Sequence, residues 1–511
     1  MPITNQRSIC IGANQPLPVL RLGLLTVVAV AIHGYHFGVE DGEIYIPAAK
    51  KFLNASLYPY ATEFFLSHER LSIFGFVLAW TARLLHLSMD WTVFLWYIAT
   101  TFFLLVSCWL LAAKAFAAQR ARWSAVMVVT ALLTMPAANT GLLLMDPYLT
   151  ARSFSTPLTL ATLTCLVSRR YGLACFTTLL TALFHPQMAA YLAFLAVVLW
   201  FAELYAPVRQ RQTAPVISCI AAFPISFHLA PAQEPYREAL YARDFFFLSN
   251  WTWYHWLGLL APLVILAWFA KGKLQGTTQV FQRLSLALIP FGVISILAAA
   301  VISSSHSLDG FARLQPLRSF HLITLIFMLF LGGIFGEYVA KTRPWAVAAA
   351  CIPLAVGMFV VNGATYPNSP HIEAPWSKTS PNVWVNTLLW IRTNTPTDAV
   401  FAVDSRYFKD EGIDVHGFRA ISERSTLADY FKDSGVVAIF PNLAPEWKQM
   451  SSATYGLNHF RAEDFTRLST QYPVTWTIIH GSAPDEMTCP YQRDGYAVCI
   501  IIPGRVQPVS K

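Results

Sequence analysis

Along this chain, apolar and polar positions alternate in blocks, not residue by residue. An apolar stretch at Val19–Phe37 is followed by runs at Trp91–Ala113, Trp123–Met145, Phe154–Ser168, Tyr171–Phe184 and Met188–Leu204. The series continues with Val216–Ala230, Trp253–Ala270, Leu284–Ile302, Phe320–Ala340 and Trp345–Val361. Runs of this length predict membrane-spanning helices, which need roughly 20 apolar residues each. They give about eleven crossings. One further stretch, Leu71–Leu87, carries Arg83 and His86 along its own length and reads either as a helix in the outer leaflet or as an ordinary span.

Two segments break the pattern. Between Gly38 and Asp90 lies a loop far longer than a connector, and long loops with helices of their own are commonly functional. Inside it, Tyr45, Ala48, Ala49, Phe52 and Leu53 recur at helical spacing and predict an amphipathic helix flat on the membrane. Beyond Val361 the prolines at 367, 370, 375 and 381 mark a linker. A helix is expected over Asn382–Arg392, then strands at Ala399–Val403, Val436–Phe440, Val474–Ile479 and Tyr496–Ile502. The expected organisation is a transmembrane domain (1–361), a linker (362–381) and a small C-terminal α/β domain (382–511).

Composition supports the membrane reading. Of 511 residues, 55% are hydrophobic and only 13% charged, about half the usual share for a soluble protein. The net charge of +8 does not form a nucleic-acid footprint. Its cations sit in short groups between runs: Lys114, Arg120 and Arg122; Arg169 and Arg170; Arg209 and Arg211; Lys271, Lys273 and Arg283; Lys341 and Arg343. That is the positive-inside pattern; it places those loops in the cytoplasm and the C-terminal domain outside it. Arg7 before the first run and Arg21 at its start, with no small-residue cleavage site after it, read as a retained signal anchor.

Cys10, Cys108, Cys165, Cys175, Cys219 and Cys351 lie in or near apolar runs and read as inert small hydrophobes. Cys489 and Cys499 fall in the polar domain, as a disulfide or as two thiols. There is no zinc-type spacing, Walker loop or dinucleotide fingerprint.

Candidate chemistry gathers on the side opposite the basic loops, while the runs themselves are nearly bare of charge at mid-depth. That argues against a coupled transporter, which needs ionisable groups or broken helices near the midplane. Glu40, Asp41 and Glu43 open the long loop. A carboxylate there suits a general base, whereas the plain alternative makes Asp41 a helix cap and the glutamates solvated charges. Asp146 and Arg152 bracket a polar connector, as binding groups or as a cap and a snorkelling arginine. His185 occupies a tight turn, as a ligand or as a turn residue. Arg313 and Arg318, followed by His321, suit a phosphate or serve as interfacial anchors. Trp251, Trp253, Tyr254 and Trp256 fit an interfacial belt.

One span, a long loop opening with Glu40-Asp41, a membrane-lying helix and then short alternating spans resemble the GT-C superfamily of membrane glycosyltransferases. The Asp146–Arg152 connector is similar to the second polar loop of such proteins. Leu183-Phe184-His185-Pro186-Gln187-Met188 resembles the His-Pro turn of a bacterial subgroup, and Trp390–Phe401 and Phe418–Ser425 resemble that subgroup's C-terminal domain. The resemblance covers most of the chain in layout and rests on short motifs. It implies an inverting transfer from a polyprenyl-phosphate sugar donor at the inner (cytoplasmic) membrane, with Asp41 as catalytic carboxylate and Glu40 beside it. The acceptor is unspecified, and some members use a divalent metal (Mg or Mn). The rival classes are a transporter or lipid flippase, and a non-catalytic membrane scaffold.

Overall fold

The computed structural model describes residues 17–204, 232–272, 274–343 and 345–501. It is largely helical, and five of its helices are long and apolar enough to cross a membrane: Met89–Ala115, Trp253–Lys271, Gln279–Ile302, His306–Tyr338 and Trp345–Thr365. At 1.5 Å per residue, the 27 residues of the first reach about 40 Å. Their outward faces are oily: Phe103, Leu110, Val264, Trp268, Leu297, Val301, Val356 and Val360 are all exposed. Such surface is stable only against lipid. These features fit a multi-pass membrane protein. Shorter apolar helices lie at Val19–His33, Phe74–Leu85, Tyr171–Phe184 and Pro186–Ala202. The expected run Val216–Ala230, the Arg209/Arg211 pair, Cys10 and Cys219 lie outside the described residues.

Helix direction sorts the charges. Asp90, at the start of Met89–Ala115, pairs with Arg392 of the C-terminal domain (3.3 Å), so Lys114 sits at the remote end. Arg120 joins it there, bonded to Glu337 (2.7 Å). Arg169 and Arg170 follow the helix Ala151–Val167, whose other end faces the domain.

Two predicted elements change. The run Trp123–Met145 is helical only as far as Ala131, within the helix Gln119–Ala131. Pro136 lacks an N–H and disfavours helical backbone at Met135, so the chain folds into a tight irregular turn instead. That turn is closed by Ala137 N–H to Leu142 O (2.9 Å) and Leu144 N–H to Met135 O (3.0 Å). The loop helix Gly42–Leu53 does form, but it is not laid flat on a membrane: Ile44, Tyr45, Ile46, Ala48 and Ala49 are all buried. It is wedged between the helix Phe74–Leu85 and the turn Phe418–Ser422 of the C-terminal domain. The helix Phe74–Leu85 has 12 residues, about 18 Å, and exposes Phe76, Trp80, Leu84 and Leu85.

The C-terminal domain carries a five-stranded sheet: β1 (Val400–Ala402), β2 (Ser425–Thr426), β3 (Trp476–His480), β4 (Thr488–Arg493) and β5 (Tyr496–Ile500). The order is β2-β1-β3-β5-β4, with β1 parallel to β2 and β3, and β5 antiparallel to β3 and β4. The expected strand Val436–Phe440 is instead part of a helix, Lys432–Ile439. A short buried apolar run has no periodicity to separate strand from helix. Just upstream, Asp429 Oδ1 accepts the N–H groups of Phe431 (2.7 Å) and Lys432 (2.5 Å), which folds the chain into a turn where the helix begins.

Two hydrophobic cores cross from loop to domain. One joins Ile44, Ala48 and Phe64 to Val436 and Trp447; the other joins Tyr45, Ile46 and Phe74 to Trp384, Phe401 and Phe418. The proline-rich segment before the domain is also pinned, since Asp414 accepts bonds from Asn368 N–H (2.8 Å) and Ser369 Oγ (2.7 Å).

Cys489 and Cys499 form a disulfide across the β4–β5 hairpin. Cys175 is also disulfide-bonded, unlike the inert role expected of it, whereas Cys108, Cys165 and Cys351 are free and buried. The hairpin bond closes a loop of 10 residues, so the Cys489→Ser/Cys499→Ser pair should cost about 2–3 kcal/mol. Chemical denaturation monitored by domain fluorescence measures this. No change in midpoint would show that the hairpin is held by packing alone.

Candidate functional site

Where the C-terminal domain meets the bundle, residues far apart in sequence enclose Asp41. The chain leaves the helix Val19–His33 and makes a tight turn, with Gly38 at φ +74° and Glu40 at φ +52°. The left-handed backbone at Glu40 costs a non-glycine residue about 1 kcal/mol and persists because both flanks are tied. Glu40 N–H donates to Val415 O (3.0 Å) and Gly417 N–H to Gly38 O (2.8 Å). Asp41 then precedes the helix Gly42–Leu53 but makes no side-chain cap bond. The capping alternative is therefore not what occupies its carboxylate.

Its partners are cations. Arg152, in the first turn of Ala151–Val167, donates to Asp41 Oδ2 (3.3 Å) and, more tightly, to Asp146 Oδ2 (2.8 Å). Lys432 forms an ion pair with Glu40 and lies 3.8 Å from Asp41 Oδ1. Burial alone would push the Asp41 carboxyl upward. Lys432, Arg152, Arg243 and Arg318 outweigh that and hold it well below the usual carboxylate range, so it is ionised at neutral pH. Its side chain remains about one-third exposed (31%). Asp146, by contrast, is buried against Arg152, and burial raises its pKa.

Three groups around this carboxylate hold buried nitrogen atoms without a hydrogen-bond partner among the described residues: Arg318 Nε, Arg243 Nε and His185 Nδ1. Arg318 stacks over the Phe245 ring (5.5 Å), and its turn is pinned by Tyr191 Oη donating to Gln315 O (2.8 Å). Arg243 donates to Lys432 O (3.1 Å) and passes so close to Gly435 that a Cβ there would collide with its guanidinium. His185, at the junction of Tyr171–Phe184 and the following helix, is held well below its ordinary pKa by burial, Arg152, Arg318 and His68. Burial similarly takes His68 down to about 4. Both imidazoles are neutral at pH 7.

The sequence-predicted residues therefore divide. Asp41, Glu40, Asp146, Arg152, His185 and Arg318 come together. Glu43 does not face the cleft: it is buried, and its carboxylate accepts Arg419 N–H and Ala420 N–H (both 3.0 Å). Burial pushes its pKa up to about 7 despite the pull of Arg419. Its substrate-binding role is corrected to that of a strut between loop and domain, because helical geometry turns Glu43 away from Asp41. Arg313 lies near the Tyr236 hydroxyl. His321 bonds to Leu144 O (3.1 Å) and supports the tight turn.

Sequence reasoning missed Lys432, whose separation of 392 residues from its partner Glu40 left no local signal.

The described residues contain no group of three or more His, Cys, Asp and Glu suited to an ion, and Glu40, Asp41 and Asp146 each already face a cation. Comparison with protein-family models and with curated proteins found no match to this chain.

Proposed function

We propose that this chain is a GT-C-type glycosyltransferase. It crosses the inner membrane about eleven times and moves a sugar from a polyprenyl-phosphate donor to an acceptor on the extracytoplasmic side. The observation that carries the reading is the pairing of one ionised, partly open carboxylate with two half-buried guanidinium groups, Arg243 and Arg318, each with a buried Nε that lacks a partner among the described residues. A base beside an anion receptor is what such a transfer requires.

In the proposed step, the acceptor oxygen attacks the anomeric carbon and a new C–O bond forms. The bond from that carbon to the phosphate oxygen breaks on the opposite face, giving inversion. The acceptor proton passes to Asp41, and the electron pair leaves on the polyprenyl phosphate. Arg318, Arg243 and Arg152 meet the charge developing there. Neutral His185 supplies a hydrogen bond without adding repulsion among the arginines. The Arg152–Asp146 pair holds the guanidinium in position, and no step is routed through a metal.

Release of polyprenyl phosphate from a lipid-linked sugar by the full chain in nanodiscs is the direct test. If the purified protein neither binds nor turns over such donors, the reading fails. Because its cations hold Asp41 below the usual range, kcat/KM should stay flat from pH 7 down to about 4, the ordinary carboxylate region. A rate–pH profile measures this. An acidic limb centred near 6 would assign the base elsewhere.

The rival classes differ in what they need. A transporter needs a polar path through the bundle, and a scaffold would tolerate changes at Asp41.

A further inference from the structure

We propose that Lys432, carried into the site by the C-terminal domain, is an exchangeable counterion: it holds Glu40 and Asp41 in the substrate-free protein and transfers to the donor's phosphate when the lipid-linked sugar docks. This rests on the reading of the ligand as a lipid-linked phosphate.

The geometry separates the cations into fixed and movable ones. Arg152 is fixed, because its short bond to Asp146 joins two side chains that are each under 10% exposed. A buried pair of that kind is costly to break. Lys432 differs. Its ammonium stem is 9% exposed, but its main partner, Glu40, is 35% exposed on its side chain, so water reaches this pair from the Glu40 side and can take over that carboxylate when the ammonium leaves. Its backbone, however, is immobile: the N–H is held by Asp429 Oδ1 and the carbonyl by Arg243. A flexible four-carbon stem on a fixed base gives the ammonium a reach of several ångströms without moving the domain.

Charge supplies the driving force. Around Asp41 stand four cations (Arg152, Arg243, Arg318, Lys432) and three carboxylates (Glu40, Asp41, Asp146), a surplus of one positive charge. An arriving phosphate competes with Glu40 for the Lys432 ammonium. When Lys432 leaves, Asp41 loses one of the groups that hold its proton affinity down, so the carboxylate becomes a stronger base as the donor arrives. The C-terminal domain thereby contributes a binding group to the site.

The test uses the full chain in phosphatidylcholine nanodiscs and a polyprenyl monophosphate as probe. Lys432→Gln should weaken binding about tenfold and Lys432→Arg should retain it, whereas Glu40→Gln, by removing the competitor, should tighten binding severalfold. Opposite signs support exchange when the gain from Glu40→Gln also disappears in the Lys432→Gln background; an equal gain in both backgrounds is plain charge addition and overturns the proposal. If both weaken binding, or neither changes it, Lys432 is a fixed strut between domain and loop and the proposal is overturned. Retained binding by Lys432→Arg, together with a thermal midpoint for Lys432→Gln equal to the parent's, excludes misfolding as the source of the loss. If the opposite signs appear but no sugar is moved, the transfer reading fails while exchange stands. If sugar is moved without a gain in Glu40→Gln, exchange alone fails.

Discussion

Asp41→Asn should lower sugar transfer by about 10²–10⁴-fold while leaving insertion and folding intact, the usual range for losing a general base. The substitution is nearly isosteric. It removes the proton acceptor, and it also removes a negative charge from among Lys432, Arg152, Arg243 and Arg318. That second effect gives the prediction a signature. With the anion gone, the cluster becomes more positive, so a polyprenyl monophosphate should bind at least as tightly as to the unmodified protein. Loss of turnover with retained affinity would separate a chemical role from a binding role. Turnover within twofold of the parent would remove Asp41 from the mechanism and leave it as one side of an ion pair.

Arg419→Ala should be the most destabilising single change in the C-terminal domain, at about 3–5 kcal/mol. The guanidinium is 1% exposed and grips Asp433 with two bonds (3.0 and 2.6 Å), with Glu43 a further 3.7 Å away. Asp429 is buried nearby, and burial together with the Asp433 charge raises its pKa. Truncating Arg419 leaves these carboxylates facing one another without a cation. The cost of an orphaned charge exceeds the net worth of the pair, so Arg419→Met with Asp433→Leu should be milder than Arg419→Ala alone. Thermal unfolding and limited proteolysis of the domain compare the three proteins. Equal losses for single and double variants would mean that packing, not charge, governs this interface.

Legibility in the sequence followed the length of the signal. The long apolar helices were plain because lipid-facing runs need no partner to be recognised. The irregular turn at 132–150 was written in Pro136 and Gly141, but hydropathy outweighed them. The helix Lys432–Ile439 was hidden because Val436-Val437-Ala438-Ile439 is too short to show a period. At the site, Asp41 and Arg152 stood out as charges beside apolar runs, yet their adjacency did not, for 111 residues separate them. Glu43 misled for a simple reason: an acidic trio looks uniform until a helix turns one member away. The role of the C-terminal domain in enclosing Asp41 was invisible, since it depends on how loop and domain pack.

The cores shared between the 38–90 loop and the last domain carry a cost during synthesis. Tyr58 donates to Arg419 O across 361 residues, so its partner emerges from the ribosome roughly 20–70 s after it does. Throughout that interval Phe64, Phe74 and the inner face of Gly42–Leu53 lack the part of their covering that the last domain supplies. Newly made chains must wait, half-wrapped, for their final segment. A premature stop anywhere before the sheet leaves a membrane-inserted product with a bare apolar wound, the type of defect that quality-control proteases recognise.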